Sequence, residues 1–553
     1  MTTVPALQTA TQRRIDLQVQ PADYRHWRLE VEGSAAWLYL DVDEEGGLRT
    51  DYALKLTTYD LAVDIELADA VNRLRFEHPE VSVVVVTSGK PNVFCAGANI
   101  FMLGGATHPH KVNFCKYTNE TRLAIEEASE ESGQTYIAAL NGVASGGGYE
   151  LALACQEIHL IDDRSSTVSL PEIPYLGVLP GTGGLTRLVD KRRVRRDRAD
   201  IFSTLAEGIK GKRAVQWKLV DAVHPPSRWE EAIRERIEAL SQDKAGRRGV
   251  TLAPLPKTLS ENRIEYSHLT VELDPSARTA EILLRGPKEA VPIPDDPAEL
   301  GCEWYPLALF RQLDDALLEL RFNWEEIGVV RVRSEGDLER VREIDRQLAE
   351  HADHWFVREV LLLIKRALKR MDYTARSFLA LIEPGSCFGG FVYEVALAAD
   401  RLYMLDDDEG ANRIATSGLN CGAFPMGNGL SRLAQRFLGE PERPAELAPP
   451  EGRAYGTQEA LEEGLVSLAP DSLDWEDEVR VMIEERASLS PDALTGMEAS
   501  LRFAGPETME TKIFGRLSAW QNWIFQRPNA TGEEGALTLY GKPASPAFDR
   551  RRT

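Results

Sequence analysis

The chain has 553 residues, a length that exceeds one ordinary hydrophobic core and predicts two to four domains. With 43% hydrophobic and 27% charged residues, the composition is that of a globular protein and argues against extensive disorder. The net charge of -23 at pH 7 disfavours nucleic acid or an anionic membrane as the main partner, because the field of the protein repels polyanions.

The cysteines and the apolar runs predict a soluble cytoplasmic protein. Six cysteines are scattered without a CxxC pair, at positions 95, 115, 155, 302, 387 and 421, which is typical of reduced thiols. The N-terminal segment lacks the apolar stretch of a secretory signal, and no run of about 18 apolar residues predicts a membrane span. His108 and His110 have no third ligand at a recognisable spacing, so neither a metal ion nor a cofactor is expected.

An internal repeat runs through the chain. The segment YDLAVDIELADAVNRLRF at 59–76 resembles YPLALFRQLDDALLELRF at 305–322, and LVDAVHPPSRWEEAIRERIE at 219–238 resembles LVSLAPDSLDWEDEVRVMIE at 465–484. Each pair is displaced by 246 residues (305 minus 59, and 465 minus 219). We interpret the repeat as a tandem duplication of one unit with a joint near 245–260.

Within each unit, β-rich runs alternate with amphipathic helical stretches and Gly-rich turns, which predicts an α/β fold with parallel strand pairing. We expect a catalytic domain at 1–255, a second unit at 256–485 and a helical C-terminal extension at 486–553.

Two segments of the first unit predict exposed backbone donors. The first, NVFCAGANIFML at 92–103, has small residues at Ala96, Gly97 and Ala98 that let a ligand approach the backbone, although a tight strand-to-helix turn explains them equally well. The second, AALNGVASGGGYELALAC at 138–155, places a glycine triplet between a β run and a helix, where N–H groups stay free. The triplet does not fit a GxGxxG or P-loop pattern, which disfavours a nucleotide site.

Donors from two such turns form an oxyanion hole when they meet, and each is worth about 10²- to 10³-fold in rate. Two carboxylates lie nearby in sequence. Glu150 follows the glycines in the first helical turn, and Glu172 lies between Pro171 and Pro174, which predicts irregular backbone. A carboxylate pair on one substrate suits proton transfer, whereas a lone glutamate is usually a solvated charge or a helix cap.

The combination of AGAN, NGVASGGGYE, SLPEIPYLGVLPGTGGLTRL and KRAVQWKLVDAV closely resembles the enoyl-CoA hydratase/isomerase, or crotonase, superfamily. This resemblance implies a ββα-superhelix fold in tandem copies and a substrate that is a coenzyme A thioester. It further implies oxyanion-hole donors at Ala98 and Gly147 and catalytic glutamates at Glu150 and Glu172. Residues around them are expected to bind the substrate: Ala96, Gly97, Asn99 and Gly146. The family often has Asp where this chain has Asn99.

The second unit lacks this apparatus. Its counterpart of the glycine triplet reads CFGGFVYE, where we place Phe391 at the third glycine, and Ser417 stands at the position of Glu172. We therefore expect one active site per chain, a degenerate second unit, and a homodimer. The segment 512–548 is either a lid over the acyl pocket or ordinary core packing.

The resemblance extends to family members that open the epoxide ring of 2,3-epoxybenzoyl-CoA, in length and in pairing an active unit with a degenerate one. It implies a hydrolytic ring-opening C–C lyase that releases formate and a CoA-thioester semialdehyde, with Cys115 as a further catalytic residue or a small buried hydrophobe. Three alternatives stay open: an enoyl-CoA hydratase or isomerase, a biotin-dependent carboxyltransferase, and a non-catalytic acyl-CoA-binding scaffold.

Overall fold

The computed structural model describes residues 14–244 and 246–553. The N-terminal residues on which the prediction of no secretory signal rests lie mostly outside this part, as does Ala245 at the predicted joint. Within the described residues, no helix combines the length and the hydrophobicity needed to cross a bilayer.

Residues 27–224 contain nine strands: β1 (Trp27–Glu32), β2 (Ala35–Leu40), β3 (Val83–Ser88), β4 (Asn92–Cys95), β5 (Thr135–Leu140), β6 (Gly142–Ser145), β7 (Glu157–Ile161), β8 (Val168–Ser169) and β9 (Ala222–His224). Six of them form a sheet in the order β1-β2-β3-β5-β7-β9, in which β1 and β2 are antiparallel and every other pair is parallel. The valines of β3 are fully buried, as expected for a central parallel strand. The predicted α/β class with parallel pairing is confirmed.

A separate three-stranded sheet in the order β4-β6-β8 is parallel throughout. Because the carboxyl ends of parallel strands lie at the same edge, the turns after these strands converge. The site residues of the two turn segments and Glu172 all follow these strands within a few residues.

Residues 61–240 contain nine α-helices: α1 (Leu61–Phe76), α2 (Ile100–Gly105), α3 (His108–Glu131), α4 (Gly147–Ala154), α5 (Glu172–Leu176), α6 (Gly184–Thr186), α7 (Arg196–Thr204), α8 (Gly211–Gln216) and α9 (Trp229–Leu240). Helix α1 begins after Asp60, whose carboxylate accepts a hydrogen bond from the N–H of Ala62, a normal N-cap. Helices α1 and α3 pack together over the first sheet and bury Leu67, Leu74 and Ile125.

A seven-stranded sheet follows, in the order β10 to β16, with the pair β17 and β18 beside it. The strands are β10 (Thr258–Ser260), β11 (Arg263–Glu265), β12 (Leu269–Asp274), β13 (Thr279–Arg285), β14 (Val329–Glu335), β15 (Ser377–Ile382), β16 (Arg401–Met404), β17 (Arg413–Thr416) and β18 (Arg453–Gly456). Strands β12 and β13 are antiparallel and β13 to β16 are parallel, which is the pairing of β1, β2, β3, β5 and β7.

Its helices are α10 (Tyr305–Asn323), α11 (Leu338–Glu350), α12 (Trp355–Tyr373), α13 (Gly390–Leu397), α14 (Arg432–Arg436), α15 (Arg443–Leu447) and α16 (Thr457–Glu462). The C-terminal helices are α17 (Trp475–Ser488), α18 (Pro491–Leu501), α19 (Met509–Lys512), α20 (Ser518–Ile524), α21 (Pro528–Thr531) and α22 (Ala536–Leu539). Each large sheet has its own hydrophobic core, and the cores interlock, since Phe322 of α10 packs in the first core and Phe76 of α1 in the second.

Corresponding hydrogen bonds, buried or partly buried, recur around the two sheets. They join a tyrosine hydroxyl to an aspartate (Tyr24 to Asp69, Tyr266 to Asp315), a helix tyrosine to a distant carbonyl oxygen (Tyr149 to Leu219, Tyr393 to Leu465), and an arginine to an acidic residue (Arg187 to Glu126, Arg432 to Asp372).

The correspondence of Tyr149 with Tyr393 corrects the position that the sequence alignment gave to Phe391. Counting back two residues places Phe391 at the middle glycine, Gly147, and not at the third.

Candidate active site

The glycine triplet forms a turn that leaves a helix N-terminus open. Strand β6 ends at Ser145, and α4 begins at Gly147. Gly146 has φ of 55°, a left-handed conformation that favours glycine. A Cβ on Gly147 would lie 2.0 Å from the hydroxyl oxygen of Tyr59, so no side chain fits there. Among the described residues, no acceptor binds the N–H of Gly147.

The AGAN segment contacts this turn directly. A Cβ on Gly97 would lie 2.9 Å from the backbone nitrogen of Gly147, so the two turns are in backbone contact. Tyr59 and Ala98 form a parallel bridge, in which the N–H of Tyr59 donates to the Gly97 carbonyl and the N–H of Asn99 donates to the Tyr59 carbonyl. This bridge leaves the N–H of Ala98 without an acceptor in the described part of the chain. The structure thus places the two residues predicted as oxyanion-hole donors in adjoining turns, and the backbone N–H of each is unpaired among the described residues.

Glu150 is held by the loop at 180–184, to which the sequence motifs assigned no role. Its side chain is 2% exposed. One oxygen accepts hydrogen bonds from the backbone N–H groups of Thr182 at 2.9 Å and Gly184 at 2.7 Å, and the other accepts from the Thr182 hydroxyl. Three donors suit a carboxylate, which only accepts, and fix its position beside the glycine turn. The PGTGG motif at 180–184 was the available signal for this loop.

Glu172 is the first residue of α5, which corrects the expectation of irregular backbone. Pro171 precedes the helix, and Pro174 is tolerated because the first helical turn needs no N–H donor from it. Its Oε1 would lie 2.8 Å from a Cβ on Gly146, and its buried Oε2 has no partner among the described residues. Burial, and then repulsion from Glu150, raises the pKa of Glu172 to about 7. Glu172 therefore exchanges a proton readily near neutral pH.

The predicted substrate-binding residues lie in these two turns, but the side chain of Asn99 already forms hydrogen bonds within the protein. The Asn99 amide donates to the carbonyl of Ala53 at 2.9 Å and to the hydroxyl of Thr58 at 3.1 Å. Its oxygen accepts from the N–H of Met102, so Asn99 caps α2. Ala96 donates its N–H to a backbone carbonyl in the segment before α1. Contact of either residue with substrate stays a prediction.

Cys115 lies on α3 beside the loop that binds Glu150. Its sulfur would be 3.3 Å from a Cβ on Gly181, and Asn119 of the same helix donates to the Gly181 carbonyl at 3.1 Å. Burial, and then the charge of Glu150, raises the pKa of the Cys115 thiol to about 11. Cys115 is therefore a neutral thiol at pH 7, near Glu150, and not a ready nucleophile.

The C-terminal extension reaches the first part of the chain. Trp523 of α20 stacks on His108 at the start of α3, with ring centroids 5.6 Å apart. The segment 512–548 thus contacts the helix that carries Cys115, and its function as a lid stays a prediction.

Comparisons with known proteins show the family of the chain. Residues 56–277 match the family model described as enoyl-CoA hydratase/isomerase. A benzoyl-CoA-dihydrodiol lyase from Aromatoleum evansii is 54% identical over 544 residues, which cover 97% of this chain and 98% of that protein. The chain belongs to the enoyl-CoA hydratase/isomerase, or crotonase, family. The predicted enzyme, a lyase of this family, is confirmed by the same match.

Two solved structures resemble part of the chain. An enoyl-CoA hydratase from Geobacillus kaustophilus HTA426 is 33% identical, with 40% of this chain and 75% of that chain covered and a TM-score of 0.35. An enoyl-CoA hydratase from Bacillus anthracis is 26% identical, with 39% and 76% covered and a TM-score of 0.34.

Proposed function

We propose that the protein opens the epoxide ring of 2,3-epoxybenzoyl-CoA with two molecules of water. Formic acid leaves, and a six-carbon acyl chain that ends in an aldehyde stays on coenzyme A. The observation that carries this proposal is the 54% identity, over nearly the whole length, to a benzoyl-CoA-dihydrodiol lyase. The pair formed by the buried Glu150 and the half-buried Glu172, beside two unpaired N–H groups, supports it chemically.

In this proposal, the thioester oxygen binds between the N–H groups of Ala98 and Gly147. Electron density moves onto that oxygen as bonds to the ring change, and the two N–H groups stabilise the resulting enolate. The positive end of α4 adds to this effect, because its first N–H groups have no partner within the helix. No cofactor is needed for these steps, since coenzyme A is part of the substrate.

The two carboxyl groups divide the proton transfers. Glu150, fixed by three hydrogen bonds, orients and deprotonates a water molecule and then returns that proton to the carbon of the enolate. Glu172, with a raised pKa and a free oxygen, donates a proton to the leaving oxygen and takes one from the second water. Cys115 contacts the acyl group as a neutral thiol.

One active site per chain is part of the proposal, with the second sheet as a degenerate copy. Asp345 of α11 accepts a hydrogen bond from the N–H of Phe391 at 2.7 Å, so a carboxylate of the protein fills the position that substrate oxygen takes at Gly147. Glu394, the counterpart of Glu150, is occupied within the protein, because it accepts hydrogen bonds from the Arg432 guanidinium and the Asn420 amide. A homodimer remains a prediction, which size-exclusion chromatography with light scattering tests.

The deciding experiment offers the purified protein 2,3-epoxybenzoyl-CoA and, separately, crotonyl-CoA. Mass spectrometry follows the CoA products, and a formate assay follows the one-carbon product. Formate and a CoA-linked aldehyde from the epoxide support the proposal. Hydration of crotonyl-CoA alone indicates an enoyl-CoA hydratase, which the family model and the glutamate pair favour as the second candidate. Absence of both reactions overturns the proposed substrate.

A further inference from the structure

Tyr59 lies at the contact between the two turns of the active site, although the mechanism above gives it no function. Its backbone bridges to Ala98, one donor residue, and its hydroxyl oxygen lies 2.0 Å from the place a Cβ on Gly147 would take. The glycine at 147 therefore does two things at once. It frees a backbone N–H, and it makes room for the hydroxyl of Tyr59 next to that N–H.

The Tyr59 hydroxyl has no hydrogen-bond partner in the described part of the chain, although the residue is only 4% exposed. Buried tyrosine hydroxyls usually find a partner. An unpaired hydroxyl is not by itself a site, because the enclosed hydroxyl of Tyr136 is also unpaired. Tyr59 differs in its location, since its oxygen adjoins the open N-terminus of α4.

The second sheet contains a matched tyrosine that is used differently. Tyr305 corresponds to Tyr59 in the internal repeat, and its hydroxyl donates to the carbonyl of Arg285 at 3.0 Å. Phe391, at the counterpart of Gly147, packs against the Tyr305 ring with centroids 6.3 Å apart. At the N-terminus of α13, which the protein itself fills, the hydroxyl of Tyr305 bonds to the protein. At the open N-terminus of α4, the hydroxyl of Tyr59 is unpaired.

The surroundings of Tyr59 hold its ring and keep its proton. The ring packs against Phe114, with centroids 5.9 Å apart, and the Arg122 guanidinium lies 5.4 Å from the ring centroid. Arg122 is itself fixed by Asp64 at 2.8 Å. Burial raises the pKa of Tyr59 well above its usual value, so the hydroxyl remains a donor at any pH of interest.

We propose that the Tyr59 hydroxyl donates a third hydrogen bond to the acyl oxygen bound at Ala98 and Gly147. The inference rests on the proposed function in one respect, that an aromatic acyl-CoA binds between these two residues. A third donor adds to the polarisation of the thioester carbonyl and strengthens as negative charge develops on the oxygen. Tyr59 is then a catalytic residue, because it touches the group that reacts.

The test compares the wild-type protein with Tyr59→Phe, which keeps the ring and removes only the hydroxyl. Benzoyl-CoA labelled with ¹³C at the carbonyl serves as a probe that lacks the epoxide and cannot react. Difference infrared spectroscopy of the bound probe reports the carbonyl stretch, which moves to lower frequency with each added hydrogen bond. We expect the stretch to lie higher in Tyr59→Phe, and kcat with 2,3-epoxybenzoyl-CoA to fall about 10- to 100-fold.

Tyr305→Phe is the matched control. It should leave the carbonyl stretch and kcat unchanged while lowering the Tm, because it leaves the Arg285 carbonyl without its donor. Tyr59→Phe should not lower the Tm, since its hydroxyl bonds to nothing in the protein.

The outcomes separate the two proposals. If the wild type neither binds benzoyl-CoA nor converts the epoxide, the proposed function fails. If the wild type does both and Tyr59→Phe shows the same carbonyl stretch, the third donor is wrong, whatever the change in kcat, because the hydroxyl then does not reach this oxygen.

Discussion

The carboxylate of Asp345 accepts a hydrogen bond from the backbone N–H of Phe391 at 2.7 Å. The corresponding N–H of Gly147, around the first sheet, has no acceptor in the described residues. Two helix N-termini at matching places thus differ in one respect: one binds an anion supplied by the protein and the other is open. A helix N-terminus attracts anions in either case, so the open one is the place for a ligand.

Asp345→Asn should stabilise the protein at neutral pH without changing kcat. Burial raises the pKa of Asp345 from its ordinary 3.8 to about 6. A raised carboxyl pKa means that the folded state loses stability as pH rises from about 4 to 6, since the unfolded chain ionises first. Asparagine keeps the acceptor oxygen and removes this loss. Thermal unfolding of the wild type and the variant at pH 4 and pH 8 checks this stabilisation. If the Tm of the variant at pH 8 is not higher than that of the wild type, the raised pKa of Asp345 is wrong.

Glu150→Gln and Glu172→Gln should each lower kcat by roughly 10²- to 10⁴-fold while the Kd for benzoyl-CoA stays within a few-fold. Glutamine at 150 keeps an oxygen for the two N–H donors, and the Thr182 hydroxyl turns to accept from its amide. The loop therefore keeps its shape while proton transfer is lost. Glu394→Gln is the matched control around the second sheet and should keep full kcat. Normal turnover in both active-site variants would exclude a two-carboxylate mechanism.

The stability of the protein should fall as pH rises from about 5 to 8 by an amount that Glu172→Gln removes. Burial, and then the charge of Glu150, raises the pKa of Glu172 in the folded state to about 7 from its ordinary value of 4.5. At a pH below the pKa of the unfolded state, Glu172 is protonated in both states and costs no stability. At a pH above the pKa of the folded state, Glu172 is charged in both states, and the full cost of burying the charge lowers the stability. Comparing the Tm of wild type and variant across this range measures the effect. Parallel curves would show that Glu172 titrates normally.

Gly147→Ala should abolish most activity and lower the Tm. The new Cβ would meet the Tyr59 hydroxyl at 2.0 Å, which forces the tyrosine or the helix terminus to move. Overpacking of this kind costs about 1–3 kcal/mol of unfolding free energy. Gly104→Ala in α2 is the control, because nothing lies within 4 Å of its Cβ position. If both variants behave alike, the contact between Gly147 and Tyr59 is not a constraint.

Cys115 should resist alkylation by iodoacetamide at pH 8, because the thiolate is the reactive form and the pKa of the thiol is about 11. The exposed Cys421 provides an internal comparison in the same peptide map. Rapid modification of Cys115 that benzoyl-CoA prevents would instead indicate a thiolate in the active site.

The sequence by itself determined the features that depend on local residue order. The glycine triplet before a helix, the small residues of AGAN and the two glutamates can be recognised in the sequence, because turns and helix starts are specified within a few residues. The tertiary structure decided which distant groups meet. The parallel order β4-β6-β8 brings Gly97 against Gly147, the 180–184 loop binds Glu150, and α11 places Asp345 on Phe391. These contacts join residues tens of positions apart, and side-chain packing across strands, which no local pattern records, selects them.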